Sequence, residues 1–444
     1  MRRLGLGGVV SFAAVVAVAG TGSPSLPRLA QPPAPAKPLA GLGVVWSQSG
    51  GELVPINGAT LEVAPGPTLK LGFVDGWAAA PDRGLVAFAV HALPQAVDYD
   101  ALRFVDPATL RPDGEDVQLD GSVRALAWLR PDRVLVVLGR CCVPGTWIAV
   151  VDTAARRVVD ESRLEATLWS LGRSPDALVL LVSRFGAIAP ARVVVVDAGG
   201  RTTTIPLRTV AGTVFPRSST AAPIGRQRVP GLAVDPAVGR AYVIAADREV
   251  AEVDLDAHTV AYHRIVAARS LLDRLDRWLQ PAAEAKGLNG SALSARWLGD
   301  GLIAVGGSDE TASVDRRGTF HVRWHPRGVA IVDTRDWTVR MLDPAADALT
   351  TADGLLLATG SSWSSGAARP TGPGLTAYGP DWTRRFTVLD GRATWISAVT
   401  DAYAFVGVGG EQTTNVVELA SGRVVATRPH APPLPLLPAW PLGS

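Results

Sequence analysis

Short, unbroken apolar runs recur along the chain, and each is entered through a turn ending in Asp or Gly. They read Leu85-Val86-Ala87-Phe88, Val134-Leu135-Val136-Val137, Leu178-Val179-Leu180-Leu181, Ala241-Tyr242-Val243-Ile244, Leu302-Ile303-Ala304-Val305, Leu355-Leu356-Leu357 and Tyr403-Ala404-Phe405-Val406. Across the turn, a Trp or Leu precedes each run: Trp77, Trp128, Trp169, Leu232, Trp297, Leu349 and Trp395. Runs this short, bounded by turn residues and rich in β-branched types, predict strands covered on both faces. A further strand follows each run and ends alike, as in Leu102-Arg103-Phe104-Val105-Asp106, Ile148-Ala149-Val150-Val151-Asp152, Val193-Val194-Val195-Val196-Asp197, Val250-Ala251-Glu252-Val253-Asp254 and Val329-Ala330-Ile331-Val332-Asp333. Looser versions stand at Leu375-Thr376-Ala377-Tyr378 and Val416-Val417-Glu418-Leu419. The terminal Asp predicts a turn, because its carboxylate accepts from backbone N–H groups just ahead. A fourth, more polar strand comes next, such as Arg156-Arg157-Val158-Val159 or Trp337-Thr338-Val339-Arg340-Met341.

Repeats of roughly 40–60 residues built only of strands and turns predict an all-β β-propeller. The pattern gives seven four-stranded blades within residues 42–430, with the apolar second strand at each blade's centre and the polar fourth at its rim. The hairpin-like segment 42–63 is left over. It either completes the last blade or joins the Pro-rich C-terminus in an eighth, and seven is the favoured count. One unit, Leu232-Ala233-Val234-Asp235-Pro236-Ala237-Val238-Gly239-Arg240-Ala241-Tyr242-Val243, resembles the bacterial YVTN-type repeat of WD40-like β-propellers. The other units match it in part, over roughly residues 70–428. The resemblance implies a fold. It does not imply a reaction, since such propellers include surface-layer-like, binding and lactonase-like proteins.

The ends read differently. Arg2-Arg3, an apolar stretch from Val9 to Val18 and Ala17-Val18-Ala19 make residues 1–19 a Sec-type signal peptide. Residues 20–41, with Pro24, Pro27, Pro32, Pro33, Pro35 and Pro38, form a Pro-rich linker, and 431–444 a Pro-rich tail. No Cys follows the apolar stretch to carry a lipid, and no later run is long enough to cross a membrane. The mature protein is therefore expected outside the cytoplasm, secreted or envelope-associated, and monomeric. Its net charge of +2 and its export signal disfavour nucleic acid. Cys141 and Cys142 are the only cysteines and are adjacent, so within one chain they can pair only with each other.

Blade connections alternate between two faces. Those between first and second strands, and between third and fourth, are short. The others are long, at 91–101, 140–147, 184–191, 208–230, 266–294, 308–328 and 361–374. All the elaboration thus projects from one face, where loops on a rigid scaffold carry function. That face collects Arg140, Arg184, Arg217, Arg226, Arg228, Arg316, Arg317, Arg323, Arg327 and Arg369, together with Trp147, Trp324 and Trp363. Arginines interleaved with aromatics suit a protein partner or an anionic cell-envelope ligand. Within 266–294, Leu271, Leu272, Leu275, Trp278 and Leu279 recur at helical spacing. They predict a helical insertion at about 267–286, with 267–280 as a candidate docking helix.

Catalytic signatures are sparse. His321 and His325 lie in the strand-like Thr319-Phe320-His321-Val322-Arg323-Trp324-His325-Pro326, about 13 Å apart if extended, too far to share an ion. Glu252, Asp254 and Asp256 lack the glycine of a calcium loop. His258 and His263 flank a fourth strand, and no G-x-S-x-G elbow, Walker loop or zincin helix occurs. No catalytic residue, metal ligand or cofactor is expected. The leading reading is a binding scaffold acting through the arginine-rich face. A lactonase-like hydrolase with a metal in the central funnel is the alternative, and an assembly factor docking through helix 267–280 is the third.

Overall fold

Apolar second strands end up at blade centres because each of their two sides meets a different neighbour. In Arg133–Arg140, Val134, Val136 and Leu138 pack on Ala87 and Ala89 of the preceding sheet. Leu135 and Val137 pack the other way, on Leu178, Leu180 and Val182 of the next. A strand buried on both sides has no use for polar alternation, and Ala177–Ser183 is buried at every position. Fourth strands face water, so Arg157–Leu164 carries only exposed and half-buried residues.

The computed structural model describes residues 40–47, 50–57, 62–80, 84–91, 100–140, 143–184, 188–213, 228–246, 248–267, 288–314, 319–365, 367–411, 413–429 and 434–437. Among them stand seven blades, antiparallel and mostly four-stranded. Blade 1 comprises Leu69–Ala79, Val86–His91 and Ala101–Asp106, with two short outer strands, Arg111–Pro112 and Val117–Gln118. Blade 2 is Ser122–Arg130, Arg133–Arg140, Val143–Asp152 and Arg157–Leu164. Blade 3 is Thr167–Arg173, Ala177–Ser183, Ile188–Asp197 and Thr202–Thr213. Blade 4 is Gly231–Asp235, Arg240–Ile244, Glu249–Asp254 and Thr259–Arg264. Blade 5 is Leu288–Gly299, Leu302–Val314, Val329–Asp333 and Thr338–Asp343. Blade 6 is Ala348–Ala352, Leu355–Thr359, Leu375–Tyr378 and Arg384–Val388, and blade 7 is Thr394–Val399, Tyr403–Val408, Thr413–Glu418 and Val424–Pro429. First strands of neighbouring blades touch, as Leu69–Ala79 touches Ser122–Arg130, so these strands form the inner edge.

The turn chemistry is as the sequence predicts. Asp106 accepts from the Ala108 N–H, Asp152 from Ala154 and Ala155, and Asp254 from Asp256 and Ala257. Each such turn closes on a left-handed residue, Leu110, Arg156 or His258, before the fourth strand begins.

The leftover hairpin does not complete blade 7. Ala40–Ser47 pairs with Gly50–Asn57 on one side and with Leu434–Leu437, from the far end of the chain, on the other. This closing sheet lies between blades 7 and 1. Val54 and Ile56 pack on Phe405 and Val416, while Leu42, Val44 and Leu53 pack on Val86, Phe88 and Val90. Successive interfaces run from blade 1 through blade 7 to this sheet and back to blade 1, so the ring is closed. The favoured seven thus describes the blades proper, and a further unit stands beside them, in which Gly50–Asn57 also pairs with Leu69–Gly72 at the start of the inner strand of blade 1. That sheet takes Ala40 and Gly41 from the segment read as linker and Leu434–Leu437 from the segment read as tail.

No helix occurs among the described residues. The helical insertion expected at about 267–286 falls outside them from residue 268, and Val266–Ala267 is a short strand parallel to Thr338–Val339.

Candidate functional site

The elaborated face is dominated by a flap on blade 5. Leu302–Val314 runs past its own blade, and Phe320–Pro326 returns along it, pairing Asp309 with His325, Glu310 with Trp324 and Thr311 with Arg323. Trp363–Ser364, from the long connection of blade 6, adds a third strand that sets Trp363 opposite Trp324 and Ser364 opposite Arg323. The junction is fastened by Ser365, whose N–H donates to the Val322 carbonyl at 2.8 Å and whose hydroxyl accepts from the Val322 N–H at 3.0 Å. Residues directly opposite one another share a sheet face. Trp324 and Trp363 therefore stand together on one side of the flap, 41 % and 39 % exposed. Arg323 is exposed on the other side, and Glu310 joins the tryptophans. Burial pushes the Glu310 carboxyl above its ordinary pKa.

At the flap's root lies a buried charge pair. The Arg327 guanidinium is fully buried and its Nη1 sits 3.3 Å from Asp309 Oδ1, while His325 Nε2 is 3.9 Å from the other carboxylate oxygen. Burial raises the Asp309 pKa, with Arg327 and then His325 opposing the shift. Burial lowers that of Arg327; Asp309 opposes this and Arg228 adds to it. Arg228 lines a small depression with Ala211, Val229, Pro230, Ala245 and Ala246. Thus Arg228, Arg323, Trp324, Arg327 and Trp363 occupy one region between blades 3 and 6, but only some present themselves to a ligand. Arg327 works inside, ion-paired with Asp309.

Arg140 is likewise tied down. Its Nη2 lies 2.7 Å from Glu161 and 2.9 Å from Asp120, and its guanidinium lies 4.8 Å over Trp147. Trp147 itself is 4 % exposed, part of the blade 1–2 core rather than of a ligand surface. Arg184 and Arg369 are exposed at separate loops. Arg217, Arg226, Arg316, Arg317, Cys141, Cys142, Leu271, Leu272, Leu275, Trp278 and Leu279 lie outside the described residues.

The repeated tryptophans divide. Trp128 is core, Trp77 packs partly buried against the core between blade 1 and the closing sheet, Trp297 likewise against the core of blades 4 and 5, and Trp395 is half exposed on the innermost strand of blade 7. Sequence reasoning also missed a group on blade 1 of this face. Asp75, His91 and Asp100 bring their side chains together there, with His91 Nδ1 3.5 Å from an oxygen of each carboxylate. Two of the residues lie on different strands and Asp100 just ahead of a third, so no single element's periodicity brings them together.

No family model matches the chain, and no curated protein does. Solved structures do. The dihydro-heme d1 dehydrogenase NirN matches with a TM-score of 0.50 at 12% identity, over 93% of this chain and 76% of that one. A 6-phosphogluconolactonase-like protein from Bacteroides fragilis matches with a TM-score of 0.44 at 11% identity, over 91% and 98%. Kuenenia stuttgartiensis hydrazine synthase matches with a TM-score of 0.34 at 15% identity, over 46% of this chain and 59% of its own length. At 12% identity the likeness to NirN shows the fold alone.

Proposed function

We propose that this protein is an extracytoplasmic binding scaffold that engages a protein or anionic cell-envelope ligand through its elaborated face. The observation that carries the reading is the Trp324–Trp363 pair, held in register on the flap and exposed. Tryptophan pairs that cost little conformational entropy to present are where binding energy concentrates in interfaces. Arg323 on the flap's other side and Arg228 at its root add positive charge to the same region of the molecule.

The test uses intact envelope fragments and an anionic polysaccharide, alginate, as probes, followed by co-sedimentation and tryptophan fluorescence. The Trp324→Ala/Trp363→Ala variant should lose at least about 10-fold in affinity for whichever probe binds, with its Tm unchanged. Undiminished affinity in that variant, or no binding of either probe by the wild type, overturns the proposal.

A further inference from the structure

Inner strands of the first three blades share a device. In blade 1 the pairing skips from Val74↔Val90 to Gly76↔Ala89, which leaves Asp75 as the extra residue of a β-bulge. Blade 2 skips Arg124 between Val123↔Leu138 and Ala125↔Val137, and blade 3 skips Trp169 between Leu168↔Val182 and Ser170↔Leu181. A bulge re-aims the side chain of its extra residue. Each of these turns toward the end of the neighbouring second strand. Trp169 Nε1 donates to Ser183 Oγ at 2.7 Å, and the Arg124 guanidinium crowds Gly139, where a Cβ would come within 2.8 Å of Nε. In blade 1 the same backbone geometry brings Asp75 to His91. The position that holds Arg124 in blade 2 and Trp169 in blade 3 holds in blade 1 a carboxylate that meets an imidazole.

The third member has two separate tasks. Asp100 Oδ2 accepts from the Val123 N–H at 2.6 Å, fixing the entry to the third strand of blade 1 to the first strand of blade 2. Thr146 performs that task in blade 2, donating its hydroxyl to the Ala166 carbonyl at 2.8 Å. A threonine suffices for the anchoring, whereas Asp100 brings a second oxygen, and that oxygen faces His91. The residue is 2 % exposed. His91 Nδ1 is sealed from solvent and has no hydrogen-bond partner among the described residues, while Phe73 stacks on the ring at 5.3 Å and fixes its plane. Burial above all, and after it the neighbouring Asp75 carboxylate, lifts Asp100 to about 6, against the Val123 N–H and His91.

We propose that Asp75, His91 and Asp100 form a binding site for one divalent cation of the zinc class. Metal–ligand bonds of about 2.1 Å in a tetrahedron place neighbouring ligand atoms about 3.4 Å apart. The two spacings from His91 Nδ1 are 3.5 Å each, and all three ligand atoms lie within 4.8 Å of one another. Two carboxylates neutralise a doubly charged ion, the imidazole favours a transition metal over calcium, and three protein ligands leave a fourth position open. The site stands apart from the flap, so its fate is independent of what the flap binds.

The test is isothermal titration of tag-free, chelator-stripped protein with Zn²⁺ and, separately, Ca²⁺, alongside thermal melts. One equivalent of Zn²⁺ should bind at micromolar Kd or tighter and raise Tm. Asp75→Asn and His91→Gln should each weaken it by at least about 10-fold while keeping the metal-free Tm. Asp100→Asn is avoided as the primary variant because it disturbs the Val123 bond. Sub-stoichiometric Zn²⁺ binding, Ca²⁺ binding in preference to Zn²⁺, or full affinity in the Asp75→Asn/His91→Gln double variant overturns the assignment.

Discussion

At the scale of single residues, the chain places ionisable groups where burial has the largest say in their state. Asp347 is the plainest, its carboxyl lifted to about 6 mainly by burial, with the Ser361 N–H opposing. A carboxyl whose folded pKa exceeds its unfolded value holds its proton longer when folded. Stability from this group is therefore fully present below about 4 and is lost as pH rises toward about 6. Asp347→Asn should remove that loss. Urea denaturation at pH 4.5 and 7.5 should show the variant gaining on the wild type at the higher pH, by an amount of order 1–3 kcal/mol. An identical difference between variant and wild type at both pH values contradicts the assignment. The same scale separates arginines that present charge from those that do not. Arg323 is exposed, whereas Arg140 and Arg327 are bonded to carboxylates that lie elsewhere in the chain. Sequence composition alone treats all three alike.

At the scale of elements, closure depends on strands from opposite ends of the chain. Without Leu434–Leu437, the strand Ala40–Ser47 exposes a row of unpaired backbone groups beside the apolar Leu42 and Val44. A bare edge of this kind invites pairing with another chain. Truncation after Pro433 should lower Tm by a few degrees and raise aggregation on concentration, both readable by light scattering during a thermal ramp. Unchanged melting and light scattering would mean that the terminal strand contributes nothing to closure. The flap illustrates how far an element is legible. The alternation around Val322 marks a strand, but the third strand, Trp363–Ser364, is only two residues long and belongs to the next blade. No periodicity exists over so short a stretch, so the register that joins Trp324 to Trp363 becomes visible only in three dimensions.

For the whole molecule, the ring follows from a repeated sentence in the sequence. A strand whose two sides face different blades must be apolar throughout, and the recurring Asp must turn the chain, so these residues carry the architecture openly. What stays hidden depends on distance along the chain. The partner of Ala40–Ser47 lies at the C-terminus, and Asp75 meets His91 only because a bulge inserts one residue into an inner strand. Alternating connections also settle which face is elaborated, and the flap, the Arg228 depression and the Asp75–His91–Asp100 group all stand on it. Hydrogen–deuterium exchange, with and without saturating envelope fragments, tests directly whether that face binds. Protection concentrated in 308–314, 320–326 and 363–364 is the predicted outcome, with the opposite-face turns at 131–132 and 353–354 unaffected. Protection of those opposite turns, or none in the flap, contradicts the account.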